Sequence, residues 1–178
     1  MSDPTTPDIK YIHIQWQGPL SLADVLNLTN EQKDYGVYQI YMAHPLYGRS
    51  ALTYVGRSAR RSFGIRFKDH RSWIEANADG NKAEIYVGRL FDEMPPTSDK
   101  AWEELIIAAE RLLIYAHAPA SNSSGLNVEF DESYYNVHIL NWGNYGQLQP
   151  EVSGARWSKR FWDKANFRTY KTPIEPAL

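Results

Sequence analysis

The stretch from Asp99 to His117 constrains this chain more than any other. Trp102, Leu105, Ile106, Ala109, Leu112, Leu113 and Ala116 recur at spacings of three and four, so a helix over 99–117 carries one continuous apolar stripe, capped by Ser98 or Asp99. Such a helix has to bury its stripe against a second layer, and the chain supplies strand-type segments to build one. Residues 35–42 (YGVYQIYM) and 52–56 (LTYVG) are rich in β-branched and aromatic side chains, with Pro45 and Gly48 as turn residues between them, which predicts an antiparallel hairpin. Residues 84–91 (EIYVGRLF) predict a third strand. Between them a helix is expected from about Ala59 into the seventies, with Phe63, Phe67 and Ile74 on its buried side. The expected fold class is therefore α/β of the α+β kind, a small three-stranded antiparallel sheet flanked by helices.

The ends read as additions to this core. Ile12, Ile14 and Trp16 alternate with His13 and Gln15 as in a short strand, and Ser21 is placed to cap a small helix carrying Leu22, Val25 and Leu26. After Pro119 a strand is expected at 136–141, then a Gly/Asn-rich turn, then a basic aromatic helix over about 155–168. The expected organisation is an N-terminal extension (1–34), a core (35–127) and a C-terminal extension (128–178) packed on the same domain. A chain of 178 residues is the size of one such unit. No stretch approaches 18 consecutive apolar residues and the N-terminus is polar, which argues against a membrane span or a secretory signal and makes a cytoplasmic protein the expectation.

Two compositional facts narrow the chemistry. The absence of cysteine excludes a disulfide framework, a thiolate zinc site and a cysteine nucleophile. The formal net charge of -2 hides a strong polarity. Residues 57–71 hold Arg57, Arg60, Arg61, Arg66, Lys68 and Arg71 against Asp69 alone, a local balance of +5. Residues 156–171 repeat it, with Arg156, Lys159, Arg160, Lys164, Arg168 and Lys171 against Asp163. Such blocks suit a polyanion-binding face on an otherwise acidic body, although solvated helix faces also collect cations.

Individual residues sharpen this. Glu110 has Ile106, Ile107, Leu113 and Ile114 one turn away in either direction, a setting in which an unpaired carboxylate is costly. It should meet a cation, a metal or strong donors; an ion pair with an arginine is the plain structural alternative. Arg66 and His70 are four apart and share a helix face, joining a guanidinium that holds phosphate to an imidazole that titrates near neutrality. Tyr38 and Tyr54 sit on the two arms of the hairpin, each in a tripeptide with glycine, Gly36-Val37-Tyr38 and Tyr54-Val55-Gly56.

This order of elements resembles the GIY-YIG nuclease domain, named for two such tripeptides on adjacent strands, followed by a helical Arg and a later helical Glu. Val37 and Val55 stand where the name has isoleucine. The family places Leu-Ile three and four residues after its Glu, Pro nine after and Asn twelve after; Leu113, Ile114, Pro119 and Asn122 meet this register. The resemblance covers roughly residues 35–127. The hairpin is longer than in compact members, with Tyr38 and Tyr54 sixteen apart, and Arg66 lies further on than usual. Arg66 is preferred to Arg61 as the catalytic arginine because His70 lies four beyond it, where Arg61 has Ile65.

The resemblance implies a metal-dependent endonuclease that hydrolyses DNA, a role in restriction or defence, and homodimers as such restriction enzymes often form. It implies Mg²⁺, replaceable by Mn²⁺, on Glu110. Arg66 would clamp the phosphate, and Tyr38 would orient or deprotonate the attacking water, which requires its phenol pKa to fall. Tyr54 would bind the water or phosphate, His70 would pass on a proton or contact phosphate, and Asn122 would brace the site around Glu110. Arg57, Arg60 and Arg61 would track the DNA backbone, joined from the second basic block by Arg156, Lys159 and Arg160. The alternative is a catalytically inactive nucleic-acid-binding protein on the same scaffold.

Overall fold

The computed structural model describes residues 9–77, 83–92, 98–123 and 131–158. Its elements, in chain order, are β1 (Lys10–Leu20), α1 (Leu22–Leu26), β2 (Gly36–His44), β3 (Gly48–Ser58), α2 (Phe63–Asn77), β4 (Glu84–Phe91), α3 (Asp99–His117), β5 (Val137–Gly143) and β6 (Glu151–Ser153), with short 3-10 turns at Glu132–Tyr134 and Gly154–Trp157.

The sheet corrects the expected fold. In place of three antiparallel strands there are six in the order β3-β2-β4-β1-β5-β6, and the sheet is mixed. The hairpin and β4 do form an antiparallel trio, with Tyr38 opposite Gly56 on one side and Val87 on the other. β4 is not an edge, however. β1 lies against it antiparallel, Ile14 beside Leu90, and β5 lies parallel to β1 on its other side, Ile12 beside Ile139. The physical reason is the alternation in β1: Ile12, Ile14 and Trp16 form one apolar row, and an isolated strand cannot bury such a row or satisfy its own backbone groups. β6 closes the far side through Val152 opposite Ile139.

Helices cover the sheet on both faces. On one face, Leu105, Ile106, Ala109, Leu112 and Leu113 of α3 pack over Ile12, Ile14, Trp16, Val37, Val55 and Ile139. On the other, Val25 of α1 with Phe63, Phe67 and Ile74 of α2 packs over Tyr38, Ile40, Met42, Ile85 and Val87. α3 has the expected bounds, and Ser98 caps it by accepting from the Ala101 amide at 3.2 Å. α1 is held by a reciprocal pair, Ser21 with Asp24.

α2 begins at Phe63 rather than near Ala59. The Phe63 and Gly64 amides donate to the carbonyls of Asp34 (2.6 Å) and Leu28 (2.8 Å), so the loop between α1 and β2, not a capping side chain, sets the start. The expected C-terminal helix is described only to Ser158, where residues 154–157 form a 3-10 turn; the rest lies outside the described residues. Among the described residues no helix is long and apolar enough to cross a membrane.

Candidate active site

Tyr38 stands in the middle of β2, on the face covered by α2, and is completely buried. Its ring lies edge-on to Phe67 at 4.8 Å and beside Tyr54 at 6.2 Å. The neighbouring strand must be bare for this: a Cβ on Gly56 would come within 2.5 Å of the Tyr38 hydroxyl and 2.7 Å of the Tyr54 ring. Gly36, at the other tripeptide, has φ +141 and faces the Gly88 carbonyl so closely that a side chain would collide with it. Both motif glycines therefore have a steric cause.

The helical spacing of four places Arg66 and His70 on either side of the Tyr38 hydroxyl. Arg66 Nε donates to it at 3.2 Å, and His70 Nε2 lies 2.7 Å from it. Arginine has only donors, so the phenolic proton is left to point at His70, whose Nε2 accepts and whose own proton sits on Nδ1. Burial, reinforced by the Arg66 and Arg61 guanidiniums and opposed by Asp69, lowers the His70 pKa to about 4. The ring is neutral at physiological pH. Burial also pushes the Tyr38 phenol up, while Arg66 pulls the other way. This is opposite to the fall that a base role for Tyr38 needs, and the residue has no exposed surface to offer a water.

Glu110 projects from the middle of α3, 8% exposed. Burial among aliphatic side chains raises its carboxyl above the ordinary carboxylate range, against the pull of Arg57, Arg111 and Arg66. The cation it meets is Arg57 of β3, whose guanidinium contacts Oε2 directly. Asn122 is bound to the outermost strand. Its side-chain amide donates to the Val55 carbonyl and accepts from the Val55 amide, both at 2.9 Å. With Ala120 and Ser121 donating to Leu52 and Thr53, the segment after α3 satisfies the open edge of β3. Asn122 thus braces the strand that carries Tyr54 and Arg57, through the backbone and without touching Glu110.

These groups converge on one cleft of about 470 Å³, lined by Tyr54, Arg57, Arg60, Arg61, Arg66, Glu110, Arg111 and Asn122 together with Ser58, Ala59 and Ile114. Tyr38 and His70 stand behind it, holding Arg66. Arg60 reaches Glu103 at 2.9 Å and Arg61 reaches Asp69 at 2.6 Å, so both are tethered at the rim. Arg111 is the cleft residue that sequence reading missed. Next to Glu110 on an amphipathic helix it looks like a solvated cation, and the only clue was its one-residue offset from the odd carboxylate. Of the second basic block, Arg156 is exposed in the turn after β6 and does not line the cleft, and Lys159 and Arg160 lie outside the described residues.

Comparison with family models, curated proteins and solved structures finds no match. The chemistry must therefore be argued from the cleft. Among the described residues no group of three or more His, Asp or Glu side chains surrounds a common point. Glu110 alone fits a hard cation here, since Mg²⁺ characteristically rests on one or two carboxylates and takes its other oxygens from water and phosphate. Its Oε1 accepts no hydrogen bond from a described residue, and the cleft beside it is rich in arginine. A cleft of this charge is suited to an anionic ligand and has little to offer a neutral one.

Proposed function

We propose that this chain is a Mg²⁺-dependent endonuclease of the GIY-YIG type that hydrolyses DNA phosphodiesters. The observation carrying the reading is the convergence of Tyr54, Arg66, Glu110 and Asn122, which come from one strand, two helices and a loop, on one arginine-lined cleft. Arg66 binds the non-bridging oxygens of the scissile phosphate, and its orientation is fixed by the Tyr38 hydroxyl, itself held by neutral His70. Tyr38 and His70 are in this reading positioning residues. Tyr54, at the cleft surface, hydrogen-bonds the attacking water or the phosphate. The water oxygen forms the new bond to phosphorus as the bond from phosphorus to the ester oxygen breaks; the water gives up its proton to solvent and the leaving oxygen takes one from solvent. Glu110 would hold the Mg²⁺ or Mn²⁺ ion, which would supply positive charge to offset the negative charge developing on the phosphate. Arg60 and Arg61 at the rim contact flanking phosphates, which contributes affinity without sequence information.

The Arg57–Glu110 pair favours a second reading, a DNA-binding protein that does not cut, because it neutralises the one carboxylate the metal needs. Incubation with supercoiled plasmid and with single-stranded DNA, in Mg²⁺ or in EDTA, separates the two. The nuclease reading expects cuts in Mg²⁺, none in EDTA and none with Arg66→Ala. Binding without cutting on every substrate supports the second reading.

A further inference from the structure

The pairing of Arg57 with Glu110 has a consequence for the order in which metal and DNA bind. The two partners are unequal: the Glu110 side chain is 11% exposed and the Arg57 side chain 38%. The carboxylate is fixed by its place on α3, whereas the guanidinium has solvent to move into. Other arginines of the cleft are anchored elsewhere, Arg60 by Glu103, Arg61 by Asp69 and Arg66 by Tyr38. Arg57 is held by the very group that would take a metal. Without it, Glu110 would be a nearly buried carboxylate among aliphatic side chains with no direct ion-pair partner, left with only the pull of Arg111 and Arg66.

We propose that Arg57 is a placeholder cation: it neutralises Glu110 in the DNA-free protein and shifts to a phosphate oxygen when a phosphodiester enters the cleft, freeing the carboxylate for the divalent cation. The inference rests on the nuclease reading of this site and adds a regulation to it. A phosphate offers a guanidinium a bidentate partner in place of the lost carboxylate, so the exchange leaves no buried charge unpaired at either end. Arg57 starts from β3, where it lies opposite Val37, and both Glu110 and the open cleft are within its compass. DNA and metal then bind cooperatively, and by linkage each raises the affinity of the other by the same factor. DNA-free protein takes up metal poorly, which keeps it from being loaded away from its substrate.

The test is Mn²⁺ binding followed by electron paramagnetic resonance, on protein alone and on protein with a short phosphorothioate DNA duplex. Wild type should bind Mn²⁺ on the order of tenfold more tightly with the duplex than without it. Arg57→Gln, checked for folding by circular dichroism, should bind Mn²⁺ without DNA on the order of tenfold more tightly than wild type. Arg57→Lys, which keeps the charge, should stay near wild type, and Glu110→Gln should lose the site. The proposal is overturned if folded Arg57→Gln gains no affinity. It is equally overturned if wild type binds Mn²⁺ as well without DNA as with it, a measurement that does not depend on any variant folding. A wild type that cuts DNA yet shows neither effect removes the placeholder role alone; a wild type that neither cuts nor binds Mn²⁺ removes the nuclease reading beneath it.

Discussion

Replacing Gly56 by alanine adds one methyl group at the point where the two motif tyrosines meet. That Cβ would stand 2.5 Å from the Tyr38 hydroxyl, 2.6 Å from its Cζ and 2.7 Å from Tyr54 Cε1, where ordinary contact begins at 3.4 Å. The Tyr38 hydroxyl must therefore retreat by about 0.9 Å. It has nowhere to go without leaving His70 (2.7 Å) or Arg66 (3.2 Å), and Phe67 blocks the ring at 4.8 Å. Overpacking of this kind costs about 1–3 kcal/mol of stability. The larger effect is expected on the cleft, because Arg66 loses the group that orients it, and a displacement of about 1 Å in a catalytic group slows turnover on the order of 10²-fold. Urea unfolding measures the first and single-turnover cleavage of labelled DNA the second. Gly48→Ala is the control: its φ is positive, +94, but its Cβ would meet nothing within 4 Å. It should cost about 1 kcal/mol through backbone strain and leave cleavage untouched. A Gly56→Ala protein with wild-type unfolding midpoint and wild-type rate would refute the packing argument for the second tripeptide.

Other substitutions probe the remaining supports. Asn122→Ala strands the Val55 amide and carbonyl together, and at about 1–3 kcal/mol per buried unpaired group it should lose about 2–6 kcal/mol in chemical denaturation; a loss below about 0.5 kcal/mol would contradict the brace. His70 binds its proton less readily folded, near 4, than unfolded, near 6.5. Its contribution is thus complete above pH 6.5 and is lost as pH falls from 6.5 towards 4, by about 1–2 kcal/mol once partial solvent access is allowed for. His70→Gln should flatten that part of the stability profile, and parallel profiles would show that the ring is not the cause. Arg60→Gln and Arg61→Gln should each lower the slope of log affinity against log salt for DNA by roughly one, and an unchanged slope would remove them from the DNA-contacting rim.

How much of this could be read from the sequence depended on whether the signal was local. The stripe on α3 and the Ser21 cap act within a few residues and lie where periodicity and capping chemistry put them; of the two cap candidates for α3 it is Ser98 that serves, and the return bond of Asp24 to Ser21 is added by the structure. Alternation identified β1 as a strand, but nothing within residues 10–20 tells that its partners are Phe91 on one side and Leu140 on the other. Local pattern therefore yields a sheet of three strands where six pair. β6 is three residues long and has no pattern of its own. At the site, the odd position of Glu110 was legible as a demand for a cation, and Arg57 answers it, a pairing across 53 residues that spacing cannot predict. The burial that seals Tyr38 arises from Phe67 on α2 and from the closeness allowed by Gly56, again a matter of packing and not of pattern.

The central claim is that Glu110 and the arginines around it form a metal-dependent phosphodiesterase site. The most direct measurement compares the cleavage rate of wild type with that of Glu110→Gln on the same DNA in Mg²⁺. Removing the charge while keeping the shape should abolish Mg²⁺-dependent cleavage, leaving DNA binding at or above the wild-type level because Arg57 is released to phosphate. Equal cleavage by the two proteins would contradict the account.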